Sequence, residues 1–243
     1  MNGIEIITPG LLTTVQDDGR FGYQQFGVPV SGVMDPVAFR LANWLVGNDP
    51  RAAVLEVTLL GPEILFHSNA VVAVTGADLG AMINHGTLPL YRSLAVSPGD
   101  RITFTGVCTG CRSYLAFSGG IQVPAVMGSR STYTRGQLGG YQGRALKAGD
   151  QLMLEEIQAS LLKKPHRQVL HQGGREKQPV MIRVVPGPQE EAFTRAGVDT
   201  FYRETYQVTQ ACDRMGCRLE GPVITHRASP DIVSDGIAMG AVQ

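Results

Sequence analysis

Short runs of aliphatic and β-branched residues, each ended by Gly, Pro, Asn or Asp, fill the first two thirds of the chain: IEIIT, LLTTV, AVLEVTL, EILFH, AVVAVTG, SLAVS, RITFTG, RSYLAF and QLMLEE. Such runs are too brief for helices that bury one stripe, and the residues between them favour turns. The pattern therefore specifies strands folded back on one another. Asn84-His85-Gly86, Ser97-Pro98-Gly99-Asp100 and Lys147-Ala148-Gly149-Asp150 supply turn chemistry at three of the joints. A mainly β fold, barrel or sandwich, with a few short helices is the expectation.

One segment has the helical period. In MDPVAFRLANWLVGN, Asp35 suits an N-cap and Pro36 the first helical position. Ala38, Leu41, Ala42 and Leu45 then share a face before Gly47 ends the helix, which lies across the mouth or flank of the β structure. A second short helix is expected over Gln189 to Ala196, after Pro186-Gly187-Pro188.

The 243 residues allow one large domain or two small ones. Apolar alternation fails in the basic, Gly- and Pro-bearing stretch SLLKKPHRQVLHQGGREKQP, which reads as a linker or exposed loop. The expected division is a β subdomain over 1–156, a linker over 157–179 that holds His166 and His171, and the start of a second β subdomain over 180–243. VMIRVVPGP, YQVTQ and CRLEGPVIT are its expected strands, a thin set from which to build a separate core.

Several function classes drop out. Lys plus Arg and Asp plus Glu both number 21, so no long-range field draws the chain to nucleic acid or an anionic membrane. No run approaches the ~18 apolar residues of a membrane span, and MNGIEIITPG is not an export signal. A soluble, cytoplasmic protein is expected. There is no P-loop, no G-x-G-x-x-G after a strand, no H-E-x-x-H and no G-x-S-x-G, and the histidines have no ligand spacing. Cys108, Cys111, Cys212 and Cys217 could together form a four-thiolate zinc site. A hairpin turn at Thr109-Gly110 explains the first pair more simply, so no metal is predicted. No Met-Lys-Met occurs, so the chain carries no covalent biotin.

Three clusters combine Arg, carboxylate or amide, and hydroxyl groups with glycine. The first contains Gln16, Asp17, Arg20 and Asp35; the second, GSRSTYTRGQLGGYQGR, contains Arg130, Ser131 and Thr132; the third, CDRMGCRLEGP, contains Asp213 and Arg214. A bland reading stands beside each: Asp-Asp-Gly is good turn sequence, Asp35 is accounted for by capping, and Arg–Asp pairs are common on surfaces. The second cluster is the most informative. A Gly-rich segment is expected to expose backbone N–H groups, and Arg adds a planar fork, a combination that suits a carboxylate, carbamate or phosphate.

The segments TPGLLTTVQDDGRFGYQQFGVPVSGVMDPVAFRLANWLVGN, LEVTLLGP, VTGADLGA, RSYLAFSGGI, VMGSRSTY, GGYQGRALKAGD, VVPGPQ and DRMGCRLEGP resemble, in order, the KipA family. That family is also called allophanate hydrolase subunit 2, the biotin-dependent carboxyltransferase family or the C-type subunit of 5-oxoprolinase. The resemblance implies a cyclophilin-like β-barrel in two related subdomains, the second incomplete in this chain, because members continue past the position of Gln243.

It also implies a hetero-oligomer with a KipI-like subunit, and in the bacterial 5-oxoprolinase with a LamB/YcsF-like subunit. That complex opens 5-oxoproline to glutamate with ATP, which the complex binds. Urea carboxylase relatives instead move CO2 from carboxybiotin to urea, so a carboxyltransferase component acting on urea or a related amide is one alternative. A non-catalytic regulator that binds a KipI-like kinase inhibitor is another. Fixed donors for the negative charge that develops in such chemistry are expected from Arg20, Arg130 and Arg214, with Asp17 as a fourth catalytic candidate. Gln16, Asp35, Ser131, Thr132 and Asp213 are the expected substrate-binding residues.

Overall fold

The computed structural model describes residues 2–155, 167–170, 181–231 and 237–243. Most of the stretch expected as a linker, with His166 and His171, lies outside the described residues. The chain divides into two units, Met1–Gln178 and Pro179–Gln243.

The first unit holds two sheets, as alternation in short runs requires. The larger is seven-stranded and joins β1 (Gly3–Thr8), β4 (Glu63–Phe66), β6 (Ala81–Ile83), β7 (Gly86–Thr87), β9 (Arg101–Phe104), β11 (Ile121–Gln122) and β12 (Gln151–Leu154). Its order is β11-β12-β1-β4-β9-β6-β7. The smaller, five-stranded sheet joins β2 (Leu12–Gln16), β3 (Val54–Thr58), β5 (Ala70–Asp78), β8 (Ser93–Val96) and β10 (Thr109–Phe117), in the order β2-β3-β10-β5-β8. Among the described residues the pairings leave both sheets open at their ends, and the two share one apolar core. Ile4, Ile64, Phe66, Ile102 and Leu152 of the larger sheet meet Val15, Leu55, Val72, Val74, Leu115 and Phe117 of the smaller one.

The outer face of the smaller sheet is covered by helix α1 (Pro36–Val46), capped by Asp35, whose carboxylate accepts the N–H groups of Val37 and Ala38. Its buried side is Ala38, Phe39, Ala42, Asn43, Leu45 and Val46; Leu41, expected on that side, is half-buried. The helix explains the unbroken apolar run of β5: Val72 and Val74 face the shared core, and Val71 and Ala73 face α1.

Four further local expectations differ from the structure. Thr109-Gly110 is no hairpin turn, because both residues lie within β10. The β10–β5 register shifts between Thr109 and Ser113, and Gly110 at φ 77° takes up the irregularity. The expected linker is not wholly exposed loop: Ser93 N–H donates to Arg167 O and Val169 N–H to Tyr91 O, so this segment caps the free edge of β8. In the second unit, residues 181–187 pair with no strand among the described residues. The helix expected at Gln189–Ala196 is a 3-10 turn, Glu190–Ala192, followed by helix α2 (Arg195–Arg203). Thr194 sets that start, being extended and accepting Gly197 N–H.

The second unit also holds a hairpin of β13 (Gln207–Cys212) and β14 (Cys217–Glu220). Cys212 and Cys217, considered as zinc ligands with the other pair, oppose each other there and are disulfide-bonded. Cys108 and Cys111 are exposed free thiols, and no group of three His, Cys, Asp or Glu among the described residues could hold a metal.

Candidate functional site

β2 ends at Gln16, and Asp17 begins a loop that returns at Asp35. Its neck is closed by Val33 N–H to Asp17 O (3.0 Å) and Arg20 N–H to Val30 O (2.8 Å). Gly19 and Gly32 both take positive φ where the two sides of the neck touch. The neck projects a tip on which Phe21 and Phe26 are exposed.

The buried Asp17 carboxylate joins this loop to the second cluster. Oδ1 accepts Gly19 N–H (2.9 Å), the Ser129 hydroxyl (2.6 Å) and the Ser131 hydroxyl, while Oδ2 accepts Arg130 N–H. Ser131 Oγ in turn accepts Asp17 N–H at 3.0 Å, and Ser129 Oγ accepts Ser131 N–H at 3.0 Å. Four donors thus saturate one carboxylate, and three of them come from consecutive residues.

The Arg20 side chain is fully buried, and its Nη2 donates to Ser131 O. Its Nε and Nη1 meet no hydrogen-bond partner among the described residues. Desolvation lowers its pKa, opposed by the charge of Asp17. Gly139 closes over this guanidinium so tightly that a Cβ there would stand 2.4 Å from Arg20 Nη2 and 2.3 Å from Ser131 O. Gln16, also fully buried, donates to Thr14 Oγ1 (3.0 Å) and Thr132 O (3.2 Å), and Thr132 Oγ1 donates to Val15 O (2.8 Å).

The structure therefore brings Gln16, Asp17, Arg20, Ser131 and Thr132 together around one peptide segment, with the Arg130 side chain directed outward. That side chain is 38% exposed, donates from Nε to Val123 O at 3.0 Å, and has Nη2 3.6 Å from Glu155 Oε1.

The expectation that the Gly-rich segment offers free amides is corrected for residues 130–133 and Gly143. Arg130 N–H goes to Asp17, Ser131 N–H to Ser129 Oγ, Thr132 N–H to Val15 O, Tyr133 N–H to Leu138 O and Gly143 N–H to Gly139 O. Gly136, Gly139, Gly140 and Gly143 serve close packing, and the amides of residues 130–133 form no cradle for phosphates. What the segment presents is the guanidinium of Arg130.

Asp35 is exposed, and its carboxylate caps α1. Its N–H donates to the Tyr114 hydroxyl (2.8 Å), which donates to Glu56 Oε2 (3.0 Å); Met34 N–H reaches the same oxygen (2.9 Å). Arg112 Nε lies 3.7 Å from Glu56 Oε1. Burial pushes the Tyr114 hydroxyl up to about 12. This buried array, which fixes the far end of the loop, was missed from sequence. Its signal was Glu56, a carboxylate in the middle of the apolar run AVLEVTL. Ser129 was missed too, because a lone Ser before Arg130 reads as solvated.

In the second unit, Asp213 Oδ1 accepts Met215 N–H (2.7 Å) and Gly216 N–H (3.2 Å), which shapes the β13–β14 turn. Arg214 beside it is half-buried, and desolvation lowers its guanidinium to about 10, so it stays charged at neutral pH.

A family model described as "Carboxyltransferase domain, subdomain A and B" matches residues 26–243. The chain is 38% identical over 240 residues to the C-type subunit of 5-oxoprolinase from Escherichia coli, covering 99% of this chain and 76% of that protein. It is 40% identical over 226 residues to urea amidolyase of Saccharomyces cerevisiae, covering 90% of this chain but 12% of that protein. The crystal structure of the Kluyveromyces lactis urea carboxylase superposes with a TM-score of 0.78 at 35% identity, covering 92% of this chain and 21% of that one.

Proposed function

This chain belongs to the carboxyltransferase domain, subdomain A and B, family, and from that premise we propose that it is the C-type subunit of a 5-oxoprolinase. In this reading it acts in the cytoplasm with a KipI-like subunit and a LamB/YcsF-like subunit, and the complex opens 5-oxoproline to glutamate with ATP. The observation that carries it is the 38% identity to the Escherichia coli protein over 99% of the chain, which includes both the Asp17 loop and the Ser129–Thr132 segment.

In this reading Arg130 touches the substrate or the oxyanion that develops on it, since its guanidinium is partly exposed and fixed by Val123 O. Asp17, Arg20 and Ser131 position it, and Gln16 and Thr132 hold β2 against the same segment. Arg214, in the second unit, is a separate candidate cationic group on a turn that Asp213 shapes, and Asp35 sets the start of α1. The amides of 129–133 are consumed within the fold and do not suit ATP phosphates, so the nucleotide is assigned to other parts of the complex.

A second reading, a carboxyltransferase component acting on urea or a related amide, is favoured by the 40% identity to the yeast urea amidolyase. The deciding experiment is co-purification with the KipI-like and LamB/YcsF-like proteins, followed by ATP-dependent assays on 5-oxoproline and on urea. Turnover of 5-oxoproline supports the first reading and carboxylation of urea the second. Arg130→Ala or Arg214→Ala with unchanged kcat and KM removes that residue from its role.

A further inference from the structure

Within the tripeptide Ser129-Arg130-Ser131, both serine side chains and all three amides are turned into the fold. Asp17 takes both serine hydroxyls and the Arg130 N–H, and Arg20 takes the Ser131 carbonyl. The Arg130 side chain, directed outward, is itself restrained by Val123 O. Such restraint is not needed to keep an arginine in water. It does reduce the rotamer freedom that would otherwise be lost when the guanidinium takes a ligand.

Among the described residues one carboxylate forms an ion pair with the Arg130 guanidinium. Glu155, next to the last residue of β12, places Oε1 3.6 Å from Nη2, near enough for ionic attraction and too far for a hydrogen bond, with its side chain 46% exposed. The main chain of Glu155 is held by its N–H to Gly120 O (3.2 Å), and Gly119 fits close beneath, where a Cβ would stand 2.5 Å from Glu155 O. The carboxylate therefore stays beside Arg130 but is weakly bonded to it.

We propose that Glu155 is a built-in competitor for a carboxylate-bearing ligand at Arg130, and so a specificity-determining residue. A ligand carboxylate that takes Arg130 as a bidentate, hydrogen-bonded pair replaces the looser Glu155 contact. A neutral ligand such as urea gains nothing by displacing it. The identity of the ligand as 5-oxoproline rests on the function proposed above; the exchange at Arg130 does not.

The test uses the assembled complex with Glu155→Gln, which keeps the shape and removes the charge. An exposed ion pair of this kind corresponds to a factor of roughly three to five in binding. KM for 5-oxoproline is expected to fall by about that factor with kcat unchanged, while any KM for urea stays the same. In parallel, the concentration of 5-oxoproline needed to raise the thermal midpoint should fall by a similar factor, and that dependence should vanish in Arg130→Met. Equal shifts for 5-oxoproline and urea, or no shift with 5-oxoproline in either measurement, would overturn the proposal. Absence of turnover in the complex, with the effects of Glu155→Gln and Arg130→Met on the 5-oxoproline-dependent midpoint retained, would count against the proposed reaction and support the exchange site.

Discussion

Asp17 Oδ2 accepts the backbone N–H of Arg130, across 113 positions of chain. That bond ties the end of β2 to the segment that presents the outward guanidinium, and it holds the loop and the Gly-rich segment together. Asp17 is buried and its oxygens are already engaged, so its contribution is to hold Arg130 in register.

Asp17→Ala leaves two serine hydroxyls and two amides without their acceptor in a buried place. Unmatched buried donors each cost about 1–3 kcal/mol, less whatever water relieves, so an overall loss of roughly 2–4 kcal/mol is expected. Urea denaturation should show it as a lower midpoint with an unchanged slope. A loss below about 0.5 kcal/mol would show that Asp17 does not anchor the segment.

Gly139→Ala and Gly99→Ala form a matched pair, since both glycines have positive φ. At Gly99 nothing lies within 4 Å of the added Cβ, so the cost is the backbone term alone, about 1–2 kcal/mol. At Gly139 the Cβ meets Arg20 Nη2 and Ser131 O well inside contact distance, so the loss should be larger by a further ~1–3 kcal/mol. Equal shifts in thermal midpoint would mean that Gly139 is not packed on the Arg20 guanidinium.

These two positions show what the sequence could convey. Alternation in short runs was enough for the mainly β class, and Asp35, Pro36 and Gly47 marked α1 correctly, because those signals are local. That the Gln16–Asp35 and Gly128–Gly143 segments concentrate polar groups was legible from their composition, and that these groups meet was not. Composition could not say that the amides of residues 129–133 are consumed, since their partners at Val15, Asp17 and Leu138 are fixed by tertiary pairing. Leu41 was misplaced for a related reason: α1 rolls to bury Phe39 and Val46 against β5 and β10, a choice made by the sheet beneath it.

Glu56 and Tyr114 rank a second pair of substitutions. Tyr114→Phe removes one hydroxyl, which deprives Asp35 N–H of an acceptor and Glu56 of a donor, at about 1–3 kcal/mol. Glu56→Leu also leaves Met34 N–H unmatched and the Arg112 guanidinium without its carboxylate, which calls for roughly 3–5 kcal/mol. Denaturation midpoints should order wild type, Tyr114→Phe, then Glu56→Leu; the reverse order of the two variants would refute the account of this array.

Arg144 and Asp150 give a pH dependence with a definite sign. Two guanidinium–carboxylate contacts of 2.6 and 2.8 Å close the GRALKAGD turn, and Lys147 N–H adds a third donor at 2.7 Å. Burial alone would push the Asp150 carboxyl up, but the Arg144 hydrogen bond, the Lys147 N–H and both positive charges outweigh it. The folded-state value is therefore held below the ordinary 3.8. A depressed carboxyl contributes stability that is full above its unfolded value and is lost as pH falls through the folded one. Asp150→Asn should thus lower stability by about 1–2 kcal/mol at pH 7, toward the lower end because Arg144 is partly exposed. Measured by urea midpoint, the gap between variant and wild type should hold constant down to about pH 5 and narrow progressively below pH 4. A gap that widens on acidification would mean that the carboxyl titrates above its ordinary value and that the Arg144 pairing is not what holds this turn.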